Sequence, residues 1–293
     1  MRILHLDAGK EMRGGQWQAL RLMEGLAAAG VKSTLLARHD APLFEAARSR
    51  GWRVEPLGLL RVMLLARRHD LIHAHDARSH TLGVMVKPKR LVVSRRVAFP
   101  VRSPWKYRRA RRYLAVSEFV KSVLVAGGVP EEKIAVVYDG VPLLEPARGS
   151  SVVALANADD PRKGAALAVE AAKLAGVELK LSANLERDLR DAAVLVYITH
   201  SEGLGSGALL AMSAGVPVVA SNVGGLLEII RHGENGLLVD NAPQAIAAAI
   251  RQLLDDPAFA RQIGEAARRT VMERFTVDHM VCRTMEVYRQ VLS

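Results

Sequence analysis

From its first residues the chain alternates short apolar runs with longer amphipathic stretches. The runs at Arg2–Asp7, Leu71–Ala74 and residues 194–198 have the length and the continuous hydrophobicity of strands that are buried on both faces. Stretches such as residues 15–29 and Val277–Leu292 repeat apolar positions every three or four residues, which predicts amphipathic helices. Alternation of the two patterns predicts βαβ units and therefore an α/β fold with parallel, doubly wound sheets.

The alternation breaks once, at residues 139–150, where two Pro and two Gly fall in a segment without helical or strand period. Such a segment is typical of a linker. We therefore predict an N-terminal Rossmann-like domain at 1–145, a C-terminal Rossmann-like domain at 146–276 and a last helix at 277–293. A chain of 293 residues is long enough for two domains of ordinary size.

The positive charge of the chain is confined to its first half. Residues 1–145 contain 26 Lys and Arg against 13 Asp and Glu, whereas residues 146–293 contain 15 against 17. The run from 87 to 112 has no acidic residue and includes Phe99, Trp105 and Tyr107. This composition fits docking on anionic lipid headgroups, but also a solvated surface or, without any recognisable module, nucleic acid. Arg95 and Arg96 follow a predicted strand and could instead bind an anionic acceptor.

The cysteine content and the hydropathy of the chain exclude further classes of protein. The single cysteine, Cys282, excludes an internal disulfide, and we see no clustered set of Asp and His that indicates a metal site. Charged residues interrupt every apolar window that could span a bilayer, and the N-terminus lacks the pattern of a signal peptide. We expect a cytoplasmic protein.

The densest chemical signal is the segment S-E-G-L-G-S-G-A-L-L-A-M-S-A-G-V-P-V-V-A-S-N-V-G-G-L-L-E-I-I at residues 201–230. A predicted strand ends near Thr199, and a turn with Glu202, Gly203 and Gly205 leads into a predicted helix near Gly207. Such a turn directs backbone N–H groups and the positive end of the helix at one point, which suits a phosphate or diphosphate. A carboxylate beside that point can accept hydrogen bonds from sugar hydroxyls.

This segment resembles the C-terminal signature of family 4 glycosyltransferases (glycosyl transferases group 1), which are retaining, nucleotide-sugar-dependent enzymes with the GT-B fold. Other stretches resemble the same family across nearly the whole chain. They are Gly14–Gly15 with the helix that follows, D-L-I-H-A-H-D at 70–76, the stretch 114–141, P-R-K-G at 161–164 and G-E-N-G-L-L-V at 233–239. The resemblance implies two Rossmann-like domains that face a cleft, with the last helix packed back on the N-terminal domain.

The resemblance also implies a role for each matching residue. Lys163 would neutralise the donor diphosphate and Glu202 would contact the sugar. Arg162 would assist Lys163, although a solvated charge at a helix start explains it equally well. The donor would further be bound by the backbone of Gly14, Gly15, Gly203, Leu204 and Gly205. The departing phosphate would help to deprotonate the acceptor, so neither a metal nor another cofactor is expected.

Acceptor contacts in this family form at the end of the inner strand, where His75 and Asp76 lie. His73 alternates with apolar neighbours, so we interpret it as a buried core histidine. In relatives a histidine often follows the next strand, whereas this chain has Arg95 and Arg96, which favours an anionic acceptor. The implied reaction is transfer of a sugar to an envelope glycolipid or polysaccharide, with a possible anionic membrane surface as a partner.

The chain also departs from the family pattern. Leu210 stands where the second glutamate normally holds the nucleotide ribose, and Ala158 stands where an arginine is usual. The segment between Leu181 and Ala193 is several tens of residues shorter than usual, and a strand and a helix are missing there. These departures support an alternative: a degenerate, non-catalytic GT-B protein that binds a sugar or a partner.

Overall fold

A computed structural model describes residues 1–86, 90–156 and 163–293 of the chain. It divides into two compact units, Met1–Gly140 with Val277–Ser293 and Val141–Thr276. The first unit therefore ends at Gly140, slightly before the predicted boundary at residue 145. The last helix belongs to the same compact unit as the N-terminal residues.

The described residues of each unit form one sheet, in which every strand pair is parallel. The strands of the first unit run in the order β3-β2-β1-β4-β5-β6-β7, and those of the second in the order β12-β11-β10-β8-β9. Their bounds are β1 Arg2–Asp7, β2 Lys32–Ala37, β3 Val54–Pro56, β4 Leu71–Ala74, β5 Leu91–Arg95, β6 Arg112–Ala115, β7 Ile134–Val136, β8 Ser151–Leu155, β9 Leu179–Ser182, β10 Ala192–Tyr197, β11 Val218–Ser221 and β12 Leu237–Val239.

Helices connect the strands, as parallel pairing requires. Local signals place their starts: the side chains of Asp76 and Ser117 cap two helices, and proline occupies the first turn of another at Pro42. The bounds are α1 Gly14–Ala28, α2 Pro42–Ser49, α3 Leu59–Ala66, α4 Ala77–Met85, α5 Pro104–Tyr107, α6 Glu118–Ala126, α7 Ala165–Ala175, α8 Leu185–Asp188, α9 Ser206–Ser213, α10 Leu226–Ile229, α11 Pro243–Asp255, α12 Pro257–Arg274 and α13 Val277–Leu292.

Helix α13 completes the core of the first unit. Tyr288 and Val281 pack with Leu22 and Leu26 of α1 and with strand residues of the sheet. Gly25 allows the two helices to approach closely, because a Cβ atom there would lie 2.5 Å from Cγ2 of Val281. Without α13 this face of the sheet would be exposed to water.

The second unit has a short sheet with one reversal of strand order. The chain begins in the middle at β8, adds β9 on one side and then returns to the other side with β10, β11 and β12. Between β9 and β10 the chain forms only α8 and a 3-10 turn at Leu189–Asp191. This is the place where the sequence is short relative to the family it resembles, and among the described residues no strand lies beyond β9.

None of the helices formed by the described residues is long and apolar enough to cross a bilayer.

The packing of α13 leads to a first prediction. Tyr288→Ala removes a fully buried ring and the hydroxyl that lies 2.6 Å from Nδ1 of His73, so it should lower the free energy of unfolding by about 3–5 kcal/mol. Urea unfolding followed by tryptophan fluorescence measures this unit selectively, because Trp17, Trp52 and Trp105 all lie in it. The exposed neighbour Gln290→Ala is the control. Equal stability of the two variants would contradict this role of α13.

Candidate functional site

Lys163 and Glu202 meet at the point where the strand order of the second sheet reverses. Lys163 follows β8 and Glu202 follows β10, and these two strands are neighbours. Ligands of open α/β sheets bind beyond the carboxyl ends of the strands at such a point. The Nζ atom of Lys163 lies 2.8 Å from Oε2 of Glu202, and both side chains are partly buried. The structure therefore brings together the two residues that the sequence placed in the catalytic role.

Two further groups hold the carboxylate of Glu202. The hydroxyl of Tyr197 donates to Oε2 at 2.9 Å, and the backbone N–H of Gly203 donates to Oε1 at 3.1 Å. Burial and the neighbouring carboxylate raise the pKa of Tyr197 well above its usual value, so its hydroxyl stays a donor. Tyr197 was not predicted from the sequence, where it reads only as the end of a buried strand.

The turn between Glu202 and α9 depends on two glycines. Gly205 has φ of 101°, a backbone conformation that favours glycine, and no side chain caps the amino end of α9. Gly225 passes so close to the turn that a Cβ atom would lie 2.0 Å from the carbonyl oxygen of Gly203. Its N–H donates to the carbonyl oxygen of Glu202 at 3.1 Å. The two glycines thus fix the turn that carries Gly203 and Leu204.

A polar network fixes the carboxyl ends of the strands beside this turn. The Thr199 N–H donates to Oγ of Ser221 at 2.9 Å, and that hydroxyl donates to Oδ1 of Asn241 at 2.6 Å. The amide of Asn241 donates back to the carbonyl oxygen of Thr199 at 3.0 Å. Hydrogen bonds therefore connect the end of β11 with the segments that follow β10 and β12, at one edge of the sheet.

The position of the missing second glutamate lies inside the core of the second unit. Leu210, in the middle of α9, is only 6% exposed and packs among apolar residues of a helix that is buried over most of its length. It offers no polar group to a ribose. Two other predicted positions, Ala158 and Arg162, lie outside the described residues.

The strand order of the first sheet reverses between β1 and β4, and two carboxylates lie at the carboxyl ends of these strands: Asp7 is the last residue of β1, and Asp76 follows β4. Asp76 caps α4 by accepting from the N–H groups of Arg78 and Ser79, and it also accepts from the Ala8 N–H at 2.6 Å. Asp7 is buried and accepts from the Gly9 N–H and the Gln16 amide. Burial, followed by the charge of Asp76, raises the pKa of Asp7 to about 6.

Asp76 therefore stabilises the start of α4 and the loop after β1. Asp7, in contrast, is a buried carboxyl that forms no ion pair with the described residues. Asp7 was not singled out from the sequence. A buried strand that ends in an acidic residue, two positions before a glycine, is the signal that could have identified it.

Three histidines form a buried cluster beside these carboxylates. His5 and His73 are register partners on β1 and β4, and His75 follows two residues later on the same face. His5 Nδ1 lies 2.9 Å from Nε2 of His75, while the nitrogens of His73 are bonded to the hydroxyls of Tyr288 and Ser94 at 2.6 and 2.8 Å. His73 is therefore the satisfied core histidine that we predicted from its alternation.

The ligand nitrogens of these three histidines lie within 4.8 Å of one another. Binding of a metal there would require at least one of the hydrogen bonds of His5 or His73 to break. Nδ1 of His75 is buried and has no partner among the described residues. His75 is thus the member of the cluster with a free nitrogen at the end of β4.

Arg95 and Arg96 have different surroundings at the end of β5. The guanidinium of Arg95 donates to the carbonyl oxygen of Phe99 and lies 5.9 Å from the ring centroid of Tyr107. Arg96 forms an ion pair with Asp139 at 3.0 Å, and its Nη1 is buried without a hydrogen-bond partner in the described part of the chain. Arg96 is therefore the better placed of the two for an anion, because Arg95 already supports its own loop.

The basic run of the sequence is not one exposed surface. Arg95, Lys106 and Tyr107 are buried, while Phe99 and Trp105 are half exposed. Residues 87–89 at the start of the run lie outside the described residues. Lys106 donates to the carbonyl oxygen of Ala77 at 3.1 Å, so part of this charge serves the packing of α5 against α4.

Two family models match the chain in its two units. The model for "Glycosyltransferase Family 4" matches residues 12–144, and the model for "Glycosyl transferases group 1" matches residues 167–270. The chain belongs to the family 4 glycosyltransferases. The assignment to this family, which we predicted from residues 201–230 and the other matching stretches, is thereby confirmed.

Curated relatives resemble mainly one part of this family 4 member. An uncharacterized glycosyltransferase of Methanocaldococcus jannaschii is 39% identical over 106 residues, which are 36% of this chain and 27% of that protein. Glycogen synthase of Mycobacterium tuberculosis is 43% identical over 101 residues, 33% of this chain and 23% of that protein. D-inositol 3-phosphate glycosyltransferase of Acidothermus cellulolyticus is 42% identical over 105 residues, 36% of this chain and 23% of that protein. The matches thus span about a quarter of these relatives' length.

Solved structures resemble the whole family 4 chain in fold. HepE of Anabaena, in complex with UDP and glucose, has a TM-score of 0.86 and 18% identity, over 99% of this chain and 100% of that chain. Sucrose-phosphate synthase from Thermosynechococcus elongatus has a TM-score of 0.78 and 19% identity, over 99% of each chain. The expected GT-B fold class, with two Rossmann-like parallel-sheet domains, is confirmed.

The contact of Gly225 with the turn gives a second prediction. Gly225→Ala would place a methyl group against the Gly203 carbonyl, so it should displace the turn and destabilise the protein by about 1–3 kcal/mol. Scanning calorimetry measures the shift in melting temperature. Gly58→Ala, where an added Cβ atom meets nothing within 4 Å, is the matched control. If both variants melt like the unmodified protein, the close approach is not structurally required.

The buried histidines give a third prediction, which concerns pH. Burial lowers the pKa of His5 and of His80 to about 3, and it holds the pKa values of His73 and His75 well below the usual value. The unfolded chain takes up these protons below about pH 6.5 while the folded chain does not, so stability is full above that pH and falls as pH decreases towards 3. The pKa of Asp7 is raised in the folded protein, so below about pH 6 the folded chain takes up one proton at Asp7. This uptake offsets one of the protons that the unfolded chain gains at its histidines.

The free energy of unfolding should therefore decrease by on the order of a few kcal/mol per pH unit around pH 5. Urea unfolding followed by tryptophan fluorescence at pH 7 and pH 5 measures it. His80→Gln should reduce the slope, whereas the exposed His39→Asn should leave it unchanged. A free energy of unfolding that is equal at the two pH values would show that these histidines take up protons in the folded state.

Proposed function

We propose that the chain transfers a sugar from a nucleotide-sugar donor to an anionic glycolipid or saccharide acceptor, with retention of configuration. The observation that carries the proposal is the pair Lys163–Glu202, 2.8 Å apart at the reversal point of the second sheet, beside the amino end of α9. A cation, a carboxylate and a helix amino end at one point are suited to a diphosphate linked to a sugar.

The donor would occupy the second unit. Glu202 pairs with Lys163, and a bound diphosphate would offer Lys163 a stronger partner while leaving Tyr197 and the Gly203 N–H on the carboxylate. Lys163 would then stabilise charge on the phosphate as the bond to the sugar breaks. The backbone of Gly203, Leu204 and Gly205 would lie along the sugar and phosphate, with Arg162 as a further cation.

A uridine nucleotide is the first donor to test, because the structures of HepE that share this fold contain UDP, UDP with glucose, or UDP-glucose. Since Lys163 and the helix amino end supply the positive potential for the diphosphate, the proposed reaction uses no metal and no other cofactor.

The acceptor would bind in the first unit, at the carboxyl ends of β1, β4 and β5. Within the described part of the chain, His75 offers an unpartnered ring nitrogen and Arg96 an unpartnered guanidinium nitrogen, and Asp7 offers a carboxyl that gains a proton near pH 6. Asp76 and Arg95 hold the loops that carry these groups. Arg96 favours an anionic acceptor, and one matched relative is named as acting on D-inositol 3-phosphate. We therefore propose a phosphorylated envelope glycolipid or polysaccharide precursor, met at the inner face of a membrane.

The alternative function is binding of a sugar or a partner without turnover. The buried Leu210 favours it, since no polar group of that position reaches a ribose. The two functions differ in one measurable property: the transferase binds nucleotide sugars through Lys163 and Glu202, whereas the degenerate protein need not.

Calorimetric titration with a panel of nucleoside diphosphates and their sugars gives the fourth prediction. At least one uridine ligand should bind, and Lys163→Ala and Glu202→Ala should each weaken binding about tenfold or more, because each removes a charge-assisted hydrogen bond. Lys173→Ala, an exposed lysine of α7, is the matched control and should bind normally. Absence of binding by every nucleotide would leave the alternative function.

A further inference from the structure

Helix α3 has an apolar surface that the rest of its unit does not cover. Leu60 is 69% exposed, Leu64 56%, Met63 46% and Leu59 38%. Positions 60, 63 and 64 follow the spacing of one helix face. Single exposed leucines are ordinary, but several on one short helix form a contiguous patch that requires an explanation.

The helix is nevertheless firmly attached to the domain. Val62 is fully buried, Leu65 is nearly so, and α3 packs against α4. The exposed face is thus held rigidly in place. Met85 at the end of α4 is also half exposed, which extends the apolar character to the neighbouring helix.

Positively charged residues lie on α3 and directly after it, and no acidic residue occurs from residue 59 to residue 69. Arg67 and Arg68 directly follow the helix and are exposed, and Arg61 is exposed on the helix itself. Arg61 pairs with Glu55 at 3.5 Å, while Arg67 and Arg68 form no ion pair with the residues that the structure describes. Arginines beside a purely aliphatic face complement a medium that is anionic at its surface and apolar beneath it.

We propose that α3 docks the protein on an anionic lipid bilayer by inserting Leu60, Met63 and Leu64 among the acyl chains while Arg67 and Arg68 bind headgroup phosphates. The helix lies parallel to the membrane plane and is too short to cross it. A short apolar face gives only weak membrane binding by itself, so the arginines supply the second contribution. The inference rests on the membrane partner of the proposed function but not on its donor or its reaction.

The docking surface differs from the one that the sequence indicated. The basic run at residues 87–112 contributes the exposed Trp105 and Phe99, whereas two of its charged residues, Arg95 and Lys106, are buried. The two surfaces can be tested separately, because α3 and α5 are separate helices.

Flotation of the full chain with vesicles gives the fifth prediction. Vesicles of phosphatidylcholine with phosphatidylglycerol should bind the protein, and pure phosphatidylcholine should bind it much less. Leu60→Gln with Leu64→Gln should lower binding to the anionic vesicles about tenfold or more, and so should Arg67→Glu with Arg68→Glu. Leu174→Gln with Leu181→Gln, two exposed leucines of the second unit, should bind like the unmodified protein. Circular dichroism checks that every variant melts normally.

A second measurement reports insertion directly. With the exposed Cys282 replaced by Ser, a Met63→Cys variant carries an environment-sensitive fluorophore whose emission should shift to the blue on anionic vesicles. Unchanged flotation of the leucine variant would overturn the proposal. If Trp105→Gln instead abolished flotation, membrane docking would survive but α3 would not be its site. A third outcome is that the protein does not bind vesicles and sedimentation velocity shows a dimer that dissociates in the leucine variant. This outcome would assign the apolar face to contact with a second copy of the chain.

Discussion

Parallel pairing of the strands is the constraint on which the rest of this structure depends. It forces every connection through a helix and places the carboxyl ends of all strands at one edge of each sheet. In both units the strand order reverses once, and the reversal separates the loops of two neighbouring strands. Lys163 and Glu202 occupy that position in the second sheet, and Asp7 and Asp76 occupy it in the first. The candidate functional residues therefore lie where the topology separates neighbouring loops.

The two units hold the residues of their candidate sites in place by different kinds of interaction. In the second unit, glycines and a network of hydroxyl and amide hydrogen bonds fix the turn before α9. Because glycine has no side chain, the backbone N–H groups of this turn are accessible to a ligand. In the first unit the candidate residues lie beside a layer of buried polar groups, in which His5, His73 and His75 are kept neutral by burial. Such a layer is stable only while its hydrogen bonds are made, which links the stability of that unit to pH.

Much of the fold could be predicted because the strands are buried on both faces and the main helices are strongly periodic. The helix at Val277–Leu292 and the strand at Leu71–Ala74 were predicted with their observed bounds. The short elements β3, α5, α8 and α10 were not predicted, since three or four residues carry no period. Helix α4 was missed because its buried face contains Ser79, His80 and Gly83 rather than a repeat of large apolar residues.

The candidate site was predictable only in part, for a related reason. The resemblance to family 4 identified Lys163, and the glycine-rich turn between strand and helix indicated Glu202 and its surroundings. Tyr197 and Asp7 gave no such signal, because their roles come from neighbours that are distant in sequence or from burial. Likewise, the apolar face of α3 could not be distinguished from a core helix by its sequence, since only the packed domain decides which leucines remain exposed.

Hydrogen–deuterium exchange in the presence and absence of UDP-glucose tests the central claim most directly, because it locates the donor as well as detecting it. The account predicts slower exchange of the backbone amides of residues 203–208, at the turn and the amino end of α9, and no such effect in Lys163→Ala. Unchanged exchange in that segment at saturating ligand, or protection confined to other parts of the chain, would contradict the assignment of the donor site to Lys163, Glu202 and the turn between them.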